Sequence, residues 1–466
     1  MLDITFDEIL EAVSGDIYIN NTNCIYNSVT IDTRTMCGNS IFIAVKGENF
    51  NGNEFVSLAS EKGATLCIVD KILFKKDELN RTTSIIIVKD TKRALMDLAM
   101  YYRSKLDVKV IGITGSTGKT STKDLAYGAL SKSFNVFKTE GNFNNEIGLP
   151  LMLFKIDNSY DVAILEMGMS NFGEIHRLAE VAKPDIAIIT NIGISHMENL
   201  KSRENILKAK MEITDFFTKD NVLIVNGDND LLSELCSKDY TLVKVSINSK
   251  CDYNAANIIL NEKSISFKVN EKDSELGGIF NIEVPGIHNV SNALLAIACG
   301  RILDIDYEVL ASSIITLNVS SMRLDIIDGK KFRIIDDCYN ASPDSMKAAI
   351  NVLMNLKGGK KVAIFGTMKE LGENSYNAHK EIGSYARNHG VQLLITIGEY
   401  NEAYSEGYGN AECNMAFSNI EEALQHILLI FVNNEDILVK ASRTMKFERI
   451  VKKLMYETAE EVKNHE

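Results

Sequence analysis

The sequence predicts an α/β fold of three domains. These are a small N-terminal α/β domain, a central domain with a phosphate-loop-type, doubly wound parallel sheet, and a Rossmann-like C-terminal α/β domain. The 466 residues suffice for about three domains at roughly 150 residues each. Short apolar runs alternate with helical stretches from residue 108 and again from residue 322, which is typical of parallel strands joined by crossover helices. We therefore predict domains at 1–106, 107–320 and 321–466.

Composition excludes several classes of protein. Hydrophobic residues are 45% and charged residues 24%, as in a globular protein, and the net charge is −13, which argues against a nucleic-acid or anionic-membrane partner. No apolar run approaches the ~18 residues of a membrane span. The acidic N-terminus lacks the basic region of a signal peptide, and the eight cysteines show no metal-ligand spacing. We expect a cytoplasmic protein and a monomer, although the sequence leaves the oligomeric state open because it shows no heptad pattern or exposed apolar stripe.

In the first domain, apolar runs predict three strands and a helix that leads out of the domain. The strands are Ser40–Val45, Ala64–Val69 and Ile85–Val88, and the helix is Thr91–Leu106.

In the central domain, four short strands alternate with helices, and residues 241–285 are strand-rich. The predicted strands are Val108–Thr114, Val162–Glu166, Ile186–Thr190 and Val222–Val225. The predicted helices begin at Lys119 and cover Glu174–Ala182, Arg203–Phe217, Leu231–Ser237 and Val290–Leu303.

The C-terminal domain repeats the alternation. Its predicted strands are Phe332–Asp336, Val362–Phe365, Leu393–Ile397 and Ile437–Val439. Ser342 and Pro343 are typical of an N-cap and the first residue of a helix. A further helix is predicted at Glu381–His389, with Gly390 as its C-cap.

The strongest local motif is a glycine-rich turn, Gly112-Ile-Thr-Gly-Ser-Thr-Gly-Lys-Thr120, between a strand and a helix. Free backbone N–H groups and the helix dipole favour an anion at such a place. Gly115 and Gly118 allow close backbone approach, Lys119 supplies a charge for the β- and γ-phosphates, and Thr120 supplies a hydroxyl for Mg²⁺. The leading glycine is offset from the usual G-x-x-x-x-G-K-[ST] spacing, so the alternative is a tight turn with an incidental lysine.

A partner acid is expected at the end of a neighbouring strand. Glu166 follows four apolar residues, which places its carboxylate at the edge where ligands bind in open α/β sheets. The alternative is a charge that simply leaves the sheet.

Several segments together resemble one family, the Mur ligases of bacterial cell-wall synthesis, over almost the whole chain. They are Val29–Arg34, Ile41–Gly47, Gly112–Thr120, Gly141–Gly148, Glu166–Gly168, Thr190–His196, Ala209–Lys210, Gly286–Asn289, Met322–Arg323, Asp336–Asn340, Glu370–Gly372 and Lys440–Arg443. The chain departs from the family pattern at Thr117, Thr367 and Ala441, where asparagine, aspartate and glycine are usual. The resemblance implies that the three domains bind the UDP end of the substrate, ATP and the incoming amino component, in chain order.

The resemblance also implies catalytic and metal-binding roles. Thr120 and Glu166 would hold one Mg²⁺, and Lys119 would stabilise the transferred phosphoryl group. His196 and a CO₂-carbamylated Lys210 would hold a second Mg²⁺. Arg323 would reach the phosphates when the domains close. The alternatives are a structural histidine and an ordinary solvated lysine.

The remaining site residues follow from the same resemblance. The residues expected to bind ATP are Gly115, Ser116, Thr117, Gly118, Lys119, Thr120, Ser121, Asn289, Asn292, Arg323 and Asp337. The residues expected at the uridine-diphosphate site are Asp32, Thr33, Arg34, Lys46 and Gly47. Asn142 and Asn145 would orient phosphate or substrate oxygens, or else only form a turn. The candidates for the incoming dipeptide are Tyr339, Asn340, Ser442 and Arg443.

Within the family, the Asp336–Asn340 and Glu370–Gly372 segments favour an enzyme that adds D-alanyl-D-alanine to UDP-N-acetylmuramoyl-tripeptide through an acyl phosphate. The sequence leaves open whether the third peptide residue is diaminopimelate or lysine. One alternative is a related ligase that adds a single amino acid, although the D-N-P-R stretch expected for diaminopimelate addition is missing from the sequence. Another is a binding protein switched by a nucleotide.

Overall fold

The computed structural model describes residues 1–21, 24–47, 50–274, 276–314, 322–329, 331–431 and 434–460, the last five without their side chains. Contacts divide the chain into two compact units. Unit 1 comprises Met1–Thr114, Phe134–Ala187 and Met211–Val222, and unit 2 comprises Gly115–Ser133, Ile188–Lys210 and Leu223–Glu466. The predicted boundary at residues 320 and 321 lies outside the described residues.

Strands and helices alternate along most of the chain. The strands are β1 Ile4–Thr5, β2 Asp16–Ile19, β3 Ile25–Tyr26, β4 Ser28–Thr30, β5 Ser40–Ile43, β6 Ala64–Val69, β7 Ser84–Ile87, β8 Lys109–Thr114, β9 Val136–Lys138, β10 Val162–Glu166, β11 Ile186–Ile189, β12 Val222–Asn226, β13 Thr241–Ser246, β14 Tyr253–Leu260, β15 Ile265–Glu271, β16 Gly277–Ile282, β17 Asp325–Asp328, β18 Phe332–Asp336, β19 Lys360–Gly366, β20 Leu393–Ile397, β21 Asn414–Phe417 and β22 Glu435–Lys440. The helices are α1 Phe6–Val13, α2 Val56–Glu61, α3 Thr91–Ser104, α4 Lys119–Leu130, α5 Gly148–Leu153, α6 Glu174–Ala182, α7 Met197–Leu200, α8 Arg203–Met211, α9 Asp230–Ser233, α10 Ile287–Ile302, α11 Tyr307–Ile314, α12 Pro343–Asn355, α13 Ser375–Asn388, α14 Asn401–Tyr408, α15 Ile420–Ile430 and α16 Glu448–Glu460.

Unit 1 begins with a five-stranded sheet in the order β2–β7–β6–β5–β4. Strands β4 to β7 are parallel and β2 is antiparallel to β7. The long helix α3 leads out of this region, and the Asp90 carboxylate caps it by accepting hydrogen bonds from the N–H groups of Lys92 and Arg93.

A second group of strands in unit 1 has the order β8–β10–β9. Strand β10 is parallel to both β8 and β9, and all five of its residues are buried. Burial on both faces explains the unbroken apolar run before Glu166. The parallel register places the carboxyl ends of these strands, Thr114 and Glu166 among them, at one edge.

In unit 2, the order β16–β15–β14–β13–β12 ends in an antiparallel β14–β15–β16 meander, as the strand-rich character of residues 241–285 predicts. Helix α10, almost completely buried, packs against α4. Packing of α10 against α4 brings the start of α10 close to the glycine-rich turn.

The second sheet of unit 2 has the order β17–β18–β22–β19–β20–β21. Every pair except β17–β18 is parallel, and apolar clusters cover both faces. Together with the parallel strands of unit 1, this arrangement confirms the predicted α/β class. The carboxyl ends of β18, β19 and β22 meet at one edge, where the polar residues of the predicted site begin.

Five helices differ from their predicted bounds: α3 ends at Ser104 and α10 begins at Ile287, and the differences are larger in α8, α9 and α13. Helix α8 ends at Met211 and continues as a 3-10 turn, Glu212–Thr214, and α9 is a single turn. Helix α13 begins at Ser375, six residues before the prediction, because its polar first turns carry no apolar periodicity. Its C-cap is His389, and Gly390 follows with φ +93°, so the glycine lies one position beyond the predicted cap.

Candidate functional site

The glycine-rich turn requires glycine at two positions. Gly115 has φ +151° and Gly118 has φ +82°. A Cβ at Gly115 would lie 1.8 Å from the hydroxyl oxygen of Thr190, and a Cβ at Gly118 would lie 2.7 Å from Oδ1 of Asn292. The turn therefore packs closely against Thr190 at one position and Asn292 at the other, and only glycine permits this approach.

The segment after β11 holds the turn in shape. The Ser116 N–H donates to the carbonyl of Asn191 at 3.0 Å, and the Thr117 N–H donates to Oδ1 of Asn191 at 2.8 Å. The Gly193 N–H donates to the Ser116 hydroxyl at 3.0 Å. Asn191 lies in the matching Thr190–His196 segment, but the sequence does not predict that this residue holds the glycine-rich turn.

Lys119, Thr120 and Ser121 form the first turn of α4. The Lys119 ammonium donates to the carbonyl of Gly115 at 2.8 Å, so the charge lies over the turn. Thr120 is buried and Ser121 is partly exposed. A cation and the N-terminus of a twelve-residue helix together make this place favourable for a phosphate.

Asn289 and Asn292 lie at the start of α10 and are both buried. Asn289 donates to the carbonyl of Pro285 at 2.8 Å and accepts from the Asn292 amide at 3.0 Å. Asn292 accepts from the Thr122 hydroxyl at 3.3 Å. Both therefore help to form the helix start, and Asn292 also packs against the turn at Gly118.

Lys210 is buried on α8, with 1% of its surface exposed. Burial, with a smaller contribution from the charge of Lys119, lowers the pKa of Lys210 well below its ordinary value. No carboxylate in the described part of the chain forms an ion pair with it. The alternative of an ordinary solvated lysine is therefore wrong, whereas its neighbour Lys208 is exposed.

His196 and Glu370 come together in unit 2. Nδ1 of His196 lies 2.5 Å from a carboxylate oxygen of Glu370, and His196 lowers the pKa of that carboxyl, with a smaller effect of Lys119. Both residues have positive φ, +61° and +66°, so the backbone is strained at both ends of the contact. The prediction named His196 as a site residue but gave Glu370 only as part of a matching segment.

A buried ion pair lies where β18 and β22 end. The Lys440 ammonium is 2.5 Å from the Asp337 carboxylate and donates to the carbonyl of Asn340 at 2.8 Å. Burial raises the pKa of Asp337, and Lys440 opposes that rise. The Arg323 guanidinium lies 4.1 Å from the ring centroid of Tyr339. Lys440, like Glu370, was not among the predicted site residues.

The residues predicted for the dipeptide differ in how firmly they are held. The Ser442 hydroxyl accepts from the Lys369 N–H at 3.0 Å. The Arg443 side chain is 52% exposed and pairs with Glu448 at 3.1 Å. Arg443 is therefore open to a further anionic partner.

In unit 1, Glu166 is buried, and Nδ2 of Asn144 donates to its carboxylate at 2.9 Å. The sequence predicts Asn142 and Asn145 as site residues but not Asn144. Asn142 is exposed, and Oδ1 of Asn145 accepts from two backbone N–H groups at the start of α5. The contacts of Asn145 therefore agree with the alternative that this residue forms a turn.

The predicted uridine-diphosphate residues lie at the surface of unit 1. Arg34 is 84% exposed and pairs with Asp32 at 2.7 Å, which lowers the pKa of Asp32 to about 2. The Thr33 carbonyl accepts from a lysine ammonium. Lys46 is exposed, and the Gly47 N–H closes a turn.

Two further properties concern metal and membrane. Within the described ranges, no three His, Cys, Asp or Glu side chains converge on a point that could hold a metal ion. Thr120 in unit 2 offers a hydroxyl and Glu166 in unit 1 offers a carboxylate, and each is an oxygen ligand of the kind that Mg²⁺ prefers. No described helix has the length and apolar character needed to cross a membrane.

These features define a phosphate-loop α/β protein. Three family models match the chain: "Mur ligase family, catalytic domain" at residues 25–103, "Mur ligase middle domain" at 113–300 and "Mur ligase, glutamate ligase domain" at 322–443. The chain belongs to the Mur ligase family, which confirms the resemblance.

Relatives and solved structures match this chain over nearly its full length. The UDP-N-acetylmuramoyl-tripeptide–D-alanyl-D-alanine ligase of Bacillus subtilis is 38% identical over 98% of this chain and 99% of its own, and the Escherichia coli ligase of the same name is 29% identical over 97% and 99%. The crystal structure of MurF from Acinetobacter baumannii has a TM-score of 0.90 at 28% identity, over 98% of this chain and 99% of its own. The MurF ligase of Thermotoga maritima in complex with ADP has a TM-score of 0.80 at 27% identity, over 93% and 98%.

Proposed function

We propose that this protein is an ATP-dependent ligase of peptidoglycan precursor synthesis. It joins the terminal carboxyl of UDP-N-acetylmuramoyl-tripeptide to the amino group of D-alanyl-D-alanine. The near-complete overlap with ligases of that name supports the substrates. The main observation that supports this chemistry is the phosphate loop, with the Lys119 ammonium bound over it. The charge of Lys119 also contributes to the lowered pKa of the buried Lys210.

A carboxylate is a poor electrophile and must be activated before an amine can attack it. In the proposed reaction, a carboxylate oxygen of the tripeptide attacks the γ-phosphorus of ATP, and ADP leaves. The amine of the dipeptide then attacks the acyl phosphate, phosphate leaves and the nitrogen loses a proton. The N–H groups of the turn and the Lys119 ammonium stabilise the charge that develops on the transferred phosphoryl group.

We propose that Thr120 and Glu166 hold one Mg²⁺ and that His196 and Lys210 hold a second. Magnesium would neutralise the phosphate oxygens when bound. The Asn144 amide orients the Glu166 carboxylate, and the Glu370 carboxylate lies against Nδ1 of His196, so two of the four predicted ligands have a neighbouring side chain that can position them.

We propose that Lys210 is carbamylated. The neutral amine attacks CO₂ and loses a proton, giving a carbamate oxygen anion in place of an ammonium. A low pKa supports the idea, because only the neutral amine is nucleophilic. An anion at this place would also be attracted to the Lys119 ammonium.

The other assignments are proposals of the same kind. Arg34, Asp32, Thr33, Lys46 and Gly47 would bind the uridine diphosphate. Asn289, Asn292, Asp337 and Arg323 would bind the nucleoside and phosphates of ATP. Tyr339, Asn340, Ser442 and Arg443 would bind the dipeptide. Each of the three family matches lies within one of the domains we propose, 1–106, 107–320 and 321–466, and that supports the division. We also propose a cytoplasmic monomer.

The test is ADP release with ATP, Mg²⁺ and UDP-N-acetylmuramoyl-tripeptide, with and without D-alanyl-D-alanine. Strong stimulation by the dipeptide, and none by diaminopimelate, lysine or glutamate, is expected. Stimulation by a single amino acid would instead indicate a related ligase. Slow hydrolysis that no acceptor stimulates would indicate a nucleotide-switched binding protein. Tripeptides ending in diaminopimelate and lysine, compared in the same assay, identify the third residue.

A further inference from the structure

The loop that runs from the last residue of β19 to the first residue of the next 3-10 turn, residues 366–372, connects two parts of the proposed site in unit 2. Glu370 on this loop contacts His196, and the Lys369 N–H donates to the Ser442 hydroxyl. The loop runs between a strand end and a short 3-10 turn, Gly372–Asn374. Its shape therefore decides where the Glu370 carboxylate lies.

A buried histidine on α13 anchors this loop. Nε2 of His379 accepts a hydrogen bond from the Met368 N–H at 2.9 Å, and Nδ1 lies 2.6 Å from the carbonyl of Ser375. These two bonds determine the tautomer: Nδ1 carries the proton and donates, while Nε2 is the acceptor.

The ring of His379 contacts two tyrosine rings and is fully buried. It stacks on Tyr400 at 4.2 Å between centroids and meets Tyr404 edge-on at 5.0 Å. A ring packed this way cannot turn without disturbing the core. The acceptor at Nε2 therefore has one direction, toward Met368.

We propose that His379 is a positioning residue: its neutral imidazole holds the 366–372 loop at Met368 and thereby keeps Glu370 against His196. The inference rests on the proposed function only in treating His196 and Ser442 as parts of the reacting site. His379 itself touches neither, so it acts through the loop.

The surroundings keep the imidazole neutral. Burial lowers the pKa of His379 to about 4, and the charge of Lys369 adds to this, while the Ser375 carbonyl and Glu399 oppose it. Tyr400 and Tyr404 are the other ionisable groups packed on the ring. Protonation would place an N–H at Nε2 against the Met368 N–H, so the anchor would fail only in acid.

The alternative is a histidine that merely fills the core. Two variants separate the ideas. His379→Phe keeps an aromatic ring between the tyrosines but removes the acceptor, whereas His379→Gln keeps an acceptor near the position of Nε2. We expect kcat of ADP release to fall about tenfold in His379→Phe and at most about threefold in His379→Gln, with KM for ATP unchanged in both. Equal losses in the two variants would overturn the proposal.

A cycle with Glu370→Gln tests the route through the loop. If His379 acts by placing the Glu370 carboxylate, His379→Phe will cost little further activity once that carboxylate is gone. A full tenfold loss in the Glu370→Gln background would contradict the route.

A structural readout keeps the inference separate from the proposed function. Amide hydrogen exchange at Met368 is expected to speed up at least tenfold in His379→Phe but not in His379→Gln, while exchange in the β19 strand stays slow in both. This measurement needs no turnover, so it stands even if the wild-type protein shows no dipeptide-stimulated ADP release. Unchanged exchange at Met368 in His379→Phe would refute the anchor.

Discussion

The proposed site uses charged side chains in two contrasting ways. In unit 2, Lys210 and Lys440 are only 1% and 2% exposed. The free-energy cost of removing these side chains from water is therefore incurred when the protein folds. In unit 1, the Arg34 side chain is 84% exposed and forms a surface ion pair with Asp32. We therefore expect the buried charges of unit 2 to affect reaction rate and stability, and Arg34 to affect substrate affinity.

The largest effect is expected at Lys210. Replacement by alanine removes the proposed carbamate, and kcat/KM for ADP release should fall roughly a thousandfold. Short-chain carboxylates such as acetate should restore part of the activity, because they can supply the missing anionic oxygen. The matched control is Lys208→Ala, an exposed neighbour on the same helix, which should retain full activity. A Lys210→Ala protein that no carboxylate rescues would argue against the carbamate.

The second prediction concerns the Lys440–Asp337 pair. Lys440→Met leaves the Asp337 carboxyl buried without its cation, and the free energy of unfolding should fall by about 3–5 kcal/mol. Removing both charges, with Asp337→Leu added, should recover much of this loss. Lys347→Met, which breaks a surface pair with Glu381, should cost less than about 1 kcal/mol. Urea unfolding measures all three, and similar losses for Lys440 and Lys347 would remove the contrast between buried and exposed charge.

Features of the fold and of the site could be predicted where they depend on residues close together in the sequence, and not where they depend on contacts between distant segments. The phosphate loop, strand β10 and the Ser342 cap are local patterns, and the structure reproduces them. Asn144, Glu370, Lys440 and His379 act through contacts between distant segments; Lys440 and Asp337, for example, are 103 residues apart. Single-sequence patterns do not say which strand ends are neighbours. The early start of α13 was missed for a different reason, since polar first turns leave no periodic signal.

A third prediction extends the contrast to acid stability. Burial lowers the pKa of His288 and of His379 from 6.5 to about 4. Between these values the unfolded chain binds protons that the folded protein does not, so stability should rise with pH from about 4 to 6.5 and fall on acidification. Each histidine contributes roughly 3 kcal/mol to this change. His379→Gln and His288→Gln should each flatten the slope of unfolding free energy against pH, and a slope unchanged in both would show that other groups cause it.

The smallest effect is expected at Arg34. Because its guanidinium is exposed, Arg34→Gln should raise KM for the UDP-linked substrate about tenfold while leaving kcat and the thermal midpoint unchanged. Its contribution should weaken as salt is added, since exposed charges are screened. Arg81→Gln, also on the surface of unit 1, is the matched control and should alter neither constant. If Arg34→Gln instead lowered kcat with KM unchanged, the exposed arginine would act in the transition state. The assignment of buried charges to reaction rate and of exposed charges to substrate affinity would then be wrong.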